Sequence, residues 1–222
     1  MRLRNNPKAL ENLKAHSDIV YVNPTDTAGK WHEVFNNDHP IFIEIGMGKG
    51  YFIIENAIRY PNRNFIGIEK YPTVLEKALK KYLKGERLDN LLFIKADAVN
   101  LNEVFAEDEV DTLYLNFSDP WPKSKHEKRR LTYRSFIDIY KFILKKDGHI
   151  IFKTDNRSLF EYTLVSFSTY GLHFNDVCLD LHNSEGYEDN IQTEYERKFS
   201  PFGPIYRIDV DMAPWKNSNI KP

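Results

Sequence analysis

From about residue 40 onward the chain alternates short β-rich runs with segments whose apolar residues recur at helical spacing, and few architectures accept that alternation. It predicts an α/β fold, a mostly parallel sheet with an antiparallel edge strand and helices on both faces. The runs are Ile41 to Ile45, Phe65 to Ile68, Leu91 to Ile94, Val110 to Leu115, His149 to Phe152, Val177 to Leu181 and Ile205 to Val210, giving seven strands. Between them lie the helical sets Ile54, Ala57 and Ile58; Leu75, Ala78, Leu79 and Tyr82; Phe136, Ile139, Tyr140 and Ile143; and Phe160, Leu164 and Phe167. Asp147-Gly148 reads as a helix stop before the fifth strand, because glycine accepts the left-handed cap. The last two runs follow one another with no helix between them, so they are expected to pair antiparallel at one edge. At 222 residues with 41% apolar content, the chain is long enough to bury a substantial core as a single domain, residues 1–222.

Two stretches stand outside the alternation. Residues 1–38 are polar, carry Pro7, Pro24 and Gly29, and concentrate Arg2, Arg4 and Lys8, which reads as a basic N-terminal arm lying over the domain. Residues 182–203, from His182 to Gly203, form a long connection; a loop beyond about 12 to 15 residues in a compact domain is more often functional than incidental. The sole cysteine, Cys178, excludes an internal disulfide, and no zinc-type spacing occurs, so a reducing, cytoplasmic setting without a metal site is expected. The N-terminus is positively charged but lacks the apolar segment of a signal peptide, and no run approaches the ~18 apolar residues of a membrane span. These features predict a soluble protein with no membrane partner.

The chemistry-bearing residues gather at the ends of the predicted strands. The first strand runs into Gly46-x-Gly48-x-Gly50, a turn that lets backbone pass close to a ligand. The spacing matches neither the dinucleotide fingerprint nor the phosphate loop. Glu69 ends the second strand, where a carboxylate can accept both hydroxyls of a ribose; an ordinary surface acid is the plainer alternative. Asp97 ends the third strand and Asp119 follows the fourth, while Glu44 lies inside the first, where a buried carboxylate needs a partner. This is the edge at which open α/β sheets bind ligands.

After the fourth strand comes Asn-Phe-Ser-Asp-Pro-Trp-Pro-Lys, residues 116–123. Its two prolines cannot donate to a ladder and fix their own φ, so Asp119 and Trp121 sit in a stiff loop. Lys123, Lys125, Lys128, Arg129 and Arg130 crowd in behind, with His126 and Glu127 among them. With 31 basic and 32 acidic residues overall, such a local patch is the only electrostatic route to a polyanion. The plainer alternative is a charged loop entering a helix capped by Thr132. Trp121 either stacks on a displaced base or packs in the core.

The row of acids resembles the class I S-adenosylmethionine-dependent methyltransferases, which implies a Rossmann-like fold. The stretch from Asn116 to Tyr133, with Lys153-Thr-Asp-Asn156 and Thr193-Glu-Tyr-Glu196, further resembles the TrmB-type tRNA (guanine-N7-)-methyltransferases along nearly the whole chain. The resemblance implies methylation of N7 of a guanine in the tRNA variable loop, with S-adenosyl-L-methionine as cofactor and tRNA as partner. It implies that Glu44, Gly46, Glu69, Asp97 and Asp119 line the cofactor pocket, Asp119 being also catalytic. Lys123, Asp155, Thr193, Glu194, Tyr195 and Glu196 would hold the substrate, and Lys125, His126, Glu127, Lys128, Arg129 and Arg130 would contact RNA. Asp155, Glu194 and Glu196 are all candidates for reading the guanine edge. Guanine N7 carries no proton, so the reaction asks for alignment and charge stabilisation, not a general base. Cys178, in an apolar strand with no preceding proline, is ill-suited to covalent catalysis on a pyrimidine. A methyltransferase acting on another RNA or on a small molecule is the alternative. A nicotinamide dehydrogenase leaves the Asp-Pro-Trp loop unexplained, and a noncatalytic RNA-binding module leaves the four acids unexplained. Related enzymes in some organisms require a second subunit; the sequence neither indicates nor excludes a protein partner or a homodimer.

Overall fold

Helices and strands alternate as expected in the computed structural model, which describes residues 6–212. Arg2 and Arg4, the head of the expected basic arm, lie outside the described residues. The chain divides into two compact units, one ending at Ala106 and the other beginning at Glu107.

The first unit comprises α1 (Ala9–Lys14), β1 (Val20–Val22), α2 (Trp31–Phe35), β2 (Ile41–Ile45), α3 (Tyr51–Arg59), β3 (Asn64–Glu69), α4 (Pro72–Tyr82), β4 (Leu91–Lys95) and α5 (Leu101–Val104). Its strands run in the order β1-β4-β3-β2, every pair parallel. Every residue of β3 is buried, as expected of an inner strand covered on both faces. The register sets Glu44 opposite Gly67 and Glu69 opposite Lys95, which aligns the strand ends that carry the acids.

Residues 1–38 were expected only to lie over the domain, yet β1 adds a strand to it, pairing Val20 with Phe93, so the described strands number eight and not seven. Three β-favouring residues, Val20 to Val22, are too short a run to stand out from a polar segment. The same segment is anchored by Glu76 of α4, whose oxygens accept from Asn6 Nδ2 at 2.7 Å and Asn12 Nδ2 at 2.6 Å, with Lys80 Nζ also at 2.6 Å. Trp31 is fully buried and donates from Nε1 to the Val104 carbonyl at 2.9 Å. The expected inner face of α3 is corrected as well. Phe52, Ile53, Asn56 and Ala57 are buried, whereas Ile58 is 57% exposed. Asn56 is tolerated on the inner face because its amide donates to the Phe52 carbonyl at 2.8 Å, and a polar residue there shifts the apparent period.

The second unit comprises β5 (Val110–Asn116), α6 (Arg134–Ile143), β6 (Leu144–Thr154), α7 (Arg157–Tyr170), β7 (His173–Cys178), α8 (Glu194–Phe199) and β8 (Tyr206–Asp211). Its strand order is β5-β6-β8-β7; β5 and β6 are parallel, and β8 is antiparallel to both neighbours. The strand expected at Val177 to Leu181 lies earlier and ends at Cys178, leaving Leu179 62% exposed. Asp147-Gly148 does not stop a helix. α6 passes directly into β6 at Ile143, and the pairing jumps from Val110 with Leu144 to Thr112 with His149, so the dipeptide sits in a bulge. A Cβ on Gly148 would lie 2.9 Å from the Lys145 carbonyl oxygen, which is why glycine stands there. Nor does Thr132 cap α6: the N-cap is Tyr133 without a side-chain bond, and the buried Thr132 hydroxyl pairs with Thr163 Oγ1 at 3.0 Å.

A charge cluster on β6 and β8 gives this unit a pH signature. His149 Nδ1 lies 2.8 Å from Asp209 Oδ1, and that hydrogen bond raises the imidazole pKa against the cost of partial burial, helped by the charges of Asp209, Asp211 and Asp147. Burial pushes the Asp209 carboxyl up, but His149 and the Arg207 guanidinium outweigh it and hold the group below its ordinary value. A group raised on folding stabilises fully below its unfolded pKa, about 6.5 for histidine, and loses that contribution as pH rises through the folded value. The melting temperature is therefore expected to decline as pH rises above about 6.5, and His149→Gln is expected to flatten that decline when both proteins are melted across the range.

Candidate active site

The glycine turn after β2 is organised by the end of β3. The Ile68 carbonyl accepts from Gly46 N at 2.9 Å and Met47 N at 3.1 Å, folding the turn across the strand end. Gly46 and Gly48 hold φ of +75° and +59°, the left-handed region, and nothing lies within 4 Å of where their Cβ atoms would stand. The turn therefore presents bare backbone to open space. Gly67 of β3 makes room beneath it, since a Cβ there would collide with Met47 Sδ.

Glu69 is 7% exposed and fixed from two sides: Oε2 accepts from Gly48 N at 3.2 Å and Oε1 from Tyr71 N at 2.9 Å. Its carboxylate is thus set before any ligand arrives. Glu44 is 2% exposed near the carboxyl end of β2. Asp97, beyond β4, caps a turn of 3₁₀ helix by accepting from Val99 N and pairs with Lys70 Nζ at 2.6 Å. It also borders a cleft of about 350 Å³ together with Asn23, Lys95 and Glu103. This unit offers carboxylates and open backbone at one strand edge, a donor set that fits a cofactor bearing positive charge and hydroxyls.

In the second unit, Asp119 is exposed just past the carboxyl end of β5. The loop that carries it is held in an unusual shape. Phe117 and Trp121 take φ of 52° and 42°, a conformation that non-glycine residues seldom adopt and that the surroundings must enforce. Arg130 supplies much of that enforcement: Nε donates to the Pro120 carbonyl and Nη2 to the Trp121 carbonyl, both at 3.1 Å, and its guanidinium lies 4.1 Å from the Tyr162 ring centroid. Trp121 is half-buried, outside the hydrophobic core. The Arg129 guanidinium lies 4.9 Å from its ring and the His126 ring meets it edge-on at 5.7 Å. Residues Ser124–Arg129 form a 3₁₀ helix on which Lys125, Lys128 and Arg129 are exposed, as is Lys123 before it.

The long connection is not structureless, for it contains α8, opened by a capping box in which the Thr193 hydroxyl accepts from Glu196 N and Glu196 Oε2 accepts from Thr193 N. Glu196 is fully buried and pairs with Lys153 Nζ at 2.7 Å; Asn190 Nδ2 donates to its Oε1 at 2.7 Å, and His182 Nε2 lies 3.1 Å from the same oxygen. Glu194 is exposed. The Tyr195 ring is held between Phe117 and Phe199, at centroid distances of 5.0 and 4.2 Å, and its hydroxyl donates to Asp155 Oδ2 at 3.0 Å. Burial and the Asp155 carboxylate raise the Tyr195 pKa, so the phenol remains a donor. Cys178 is buried at the end of β7 with its thiol against Ser184 Oγ.

The structure thus brings Asp119, Lys123 and the basic residues onto one loop, and Asp155 and Tyr195 into contact. Sequence reasoning missed Phe117, Lys153 and Asn190, and gave Arg130 no part in shaping the loop. Only the motif Lys153-Thr-Asp-Asn156 hinted at Lys153, and a lysine inside an apolar strand was the available signal. Among the described residues there is no group of three or more His, Cys, Asp or Glu able to hold a metal ion, and no helix is long and apolar enough to cross a membrane.

Residues 38–206 match the model of a family described as putative methyltransferases. A tRNA (guanine-N(7)-)-methyltransferase of Geobacillus sp. (strain WCH70) is 55% identical over 215 residues, covering 96% of this chain and 97% of the relative. One of the same name from Pediococcus pentosaceus is 51% identical, covering 94% and 98%. Among solved structures, the 16S rRNA methyltransferase KamB superposes with a TM-score of 0.62 at 13% identity, covering 87% of this chain and 98% of that one. A 30S ribosomal A1408 methyltransferase from an uncultured bacterium gives 0.60 at 18%, covering 87% and 98%. The structural neighbours establish the Rossmann-like methyltransferase fold. The sequence relatives establish the narrower group: this chain belongs to the tRNA (guanine-N(7)-)-methyltransferase family.

Proposed function

We propose that this chain methylates N7 of a guanine in the variable loop of tRNA in the cytoplasm, using S-adenosyl-L-methionine, with its two units acting as one methyltransferase domain. The observation that carries the reading is a chemical division of labour. The first unit presents carboxylates around open glycine backbone, and the second presents a stiffened carboxylate loop continuous with exposed cations. When bound, S-adenosylmethionine supplies an electrophilic methyl group on a sulfonium. The backbone of the Gly46 turn and Glu44 would hold its amino-acid part, Glu69 would accept from the ribose hydroxyls, and Asp97 would serve the adenine. Carboxylates suit a positively charged cofactor, whereas they would repel the phosphates of a dinucleotide.

On the substrate side the chain aligns the guanine and needs no base, because N7 offers a lone pair and no proton. The purine becomes cationic as it is methylated, and Asp119 stabilises that charge. Guanine N1 and N2 are donors, so a carboxylate must accept from them. Glu196 is committed inward, which leaves Asp155 and Glu194; Asp155 is the better fixed, through Tyr195. Adenine presents the wrong pattern there, and a site built on hydrogen bonds rejects such an analogue strongly. Lys123 and Thr193 complete the base side.

Lys125, Lys128 and Arg129 serve the RNA backbone, while Arg130 mainly shapes the loop. Replacing Lys125 and Lys128 by glutamine is expected to weaken tRNA binding and to reduce the slope of log affinity against log salt by about one for each phosphate no longer neutralised. Filter binding at several salt concentrations measures this. An unchanged slope would place the cluster outside the RNA interface, and an acceptor without a phosphate backbone would show no comparable slope.

A further inference from the structure

The end of β6 and the first turn of α8 are joined at two points by residues in step with one another. Lys153 stands near the end of the strand and Asp155 just beyond it; Tyr195 and Glu196 are consecutive on the helix. Lys153 pairs with Glu196 at 2.7 Å, their side chains 3% and 0% exposed, and Tyr195 donates to Asp155 at 3.0 Å on the surface. The Lys153 ammonium also donates to Asn190 Oδ1 and to the Ile191 carbonyl, both at 3.1 Å, so it holds two acceptors on the segment leading into α8 as well as Glu196 within the helix.

A buried ion pair is a poor device for stability alone, since apolar residues of the same volume often do as well or better. What it adds here is register. The three bonds to Lys153 fix residues 190–196 against the end of β6, and in that placement the Tyr195 hydroxyl sits on Asp155. We infer that Lys153 is a positioning residue for methyl transfer. Through Glu196 it holds α8 so that Tyr195 and Asp155 keep one arrangement before the guanine arrives. Lys153 touches no reacting atom in this scheme. The inference rests on the tRNA guanine reading above.

The test is the double variant Lys153→Met with Glu196→Gln, which removes both charges together while keeping an acceptor in the capping box. It is expected to melt within a few degrees of the wild type and to bind S-adenosylmethionine equally well by calorimetry. Its kcat on unmodified tRNA is expected to fall at least tenfold, with a smaller change in KM, and the amides of residues 193–199 are expected to lose protection from hydrogen exchange. A folded double variant with wild-type kcat would overturn the inference. If the double variant does not fold, Lys153→Arg decides instead, since it keeps the buried charge opposite Glu196 while changing the reach that sets the register of α8. A tenfold loss of kcat supports the inference and an unchanged kcat overturns it. The wild-type protein runs beside both: if it makes no 7-methylguanosine, the functional reading fails, whereas an active wild type with equally active variants sinks the positioning role alone.

Discussion

Asp119→Asn is expected to lower the single-turnover rate of methyl transfer by roughly a hundredfold or more, while leaving the melting temperature unchanged. The substitution keeps the shape of the side chain and removes its charge. Asp119 is exposed, so no core packing depends on it. Its loop is fixed by other means: left-handed backbone at Phe117 and Trp121, two prolines, and the paired hydrogen bonds from Arg130 to the Pro120 and Trp121 carbonyls. A carboxylate so held needs no reorganisation as positive charge moves onto the purine, and preorganised charge of this kind is commonly the largest catalytic contribution of a site. Rapid-quench measurement under single-turnover conditions separates the chemical step from product release. An unchanged rate would show that Asp119 serves only the shape of the site.

Glu196→Ala is expected to destabilise the protein by about 3 to 5 kcal/mol, because it strands the Lys153 ammonium in the interior without its counter-charge. It also breaks the capping box of α8 and removes the acceptor for Asn190. For a protein of this size the fall in melting temperature is on the order of 10 °C. The neighbouring Glu194 is exposed, and its replacement by alanine is expected to shift stability by no more than about 0.5 kcal/mol. Denaturant titration of the two variants side by side checks the contrast. Equal effects would mean that the Lys153 pair is not what anchors α8.

That contrast shows where the sequence stops being informative. Glu194 and Glu196 read alike in sequence, two acids in a polar stretch, and only the fold sends one to the interior and leaves the other in water. The strand ends were legible because their signal is local: an apolar run followed by a glycine or an acid marks both the strand and its ligand edge. β1 was hidden because three residues give no period to detect. Gly148 misled for the opposite reason: it suggested a local role, a helix stop, whereas a close backbone approach decides its place. Arg130 looked like one more cation in a basic run, and its bonds to two loop carbonyls become visible only when the chain turns back on itself.

The most direct measurement of the central claim is transfer of labelled methyl from S-adenosylmethionine to an unmodified tRNA transcript, followed by digestion and mass identification of the labelled nucleoside. Chemical cleavage at the labile N7-methylated base then maps its position. The expected product is 7-methylguanosine confined to the variable loop. Label in any other nucleoside, or label accepted by a small molecule and not by tRNA, would contradict the proposed activity.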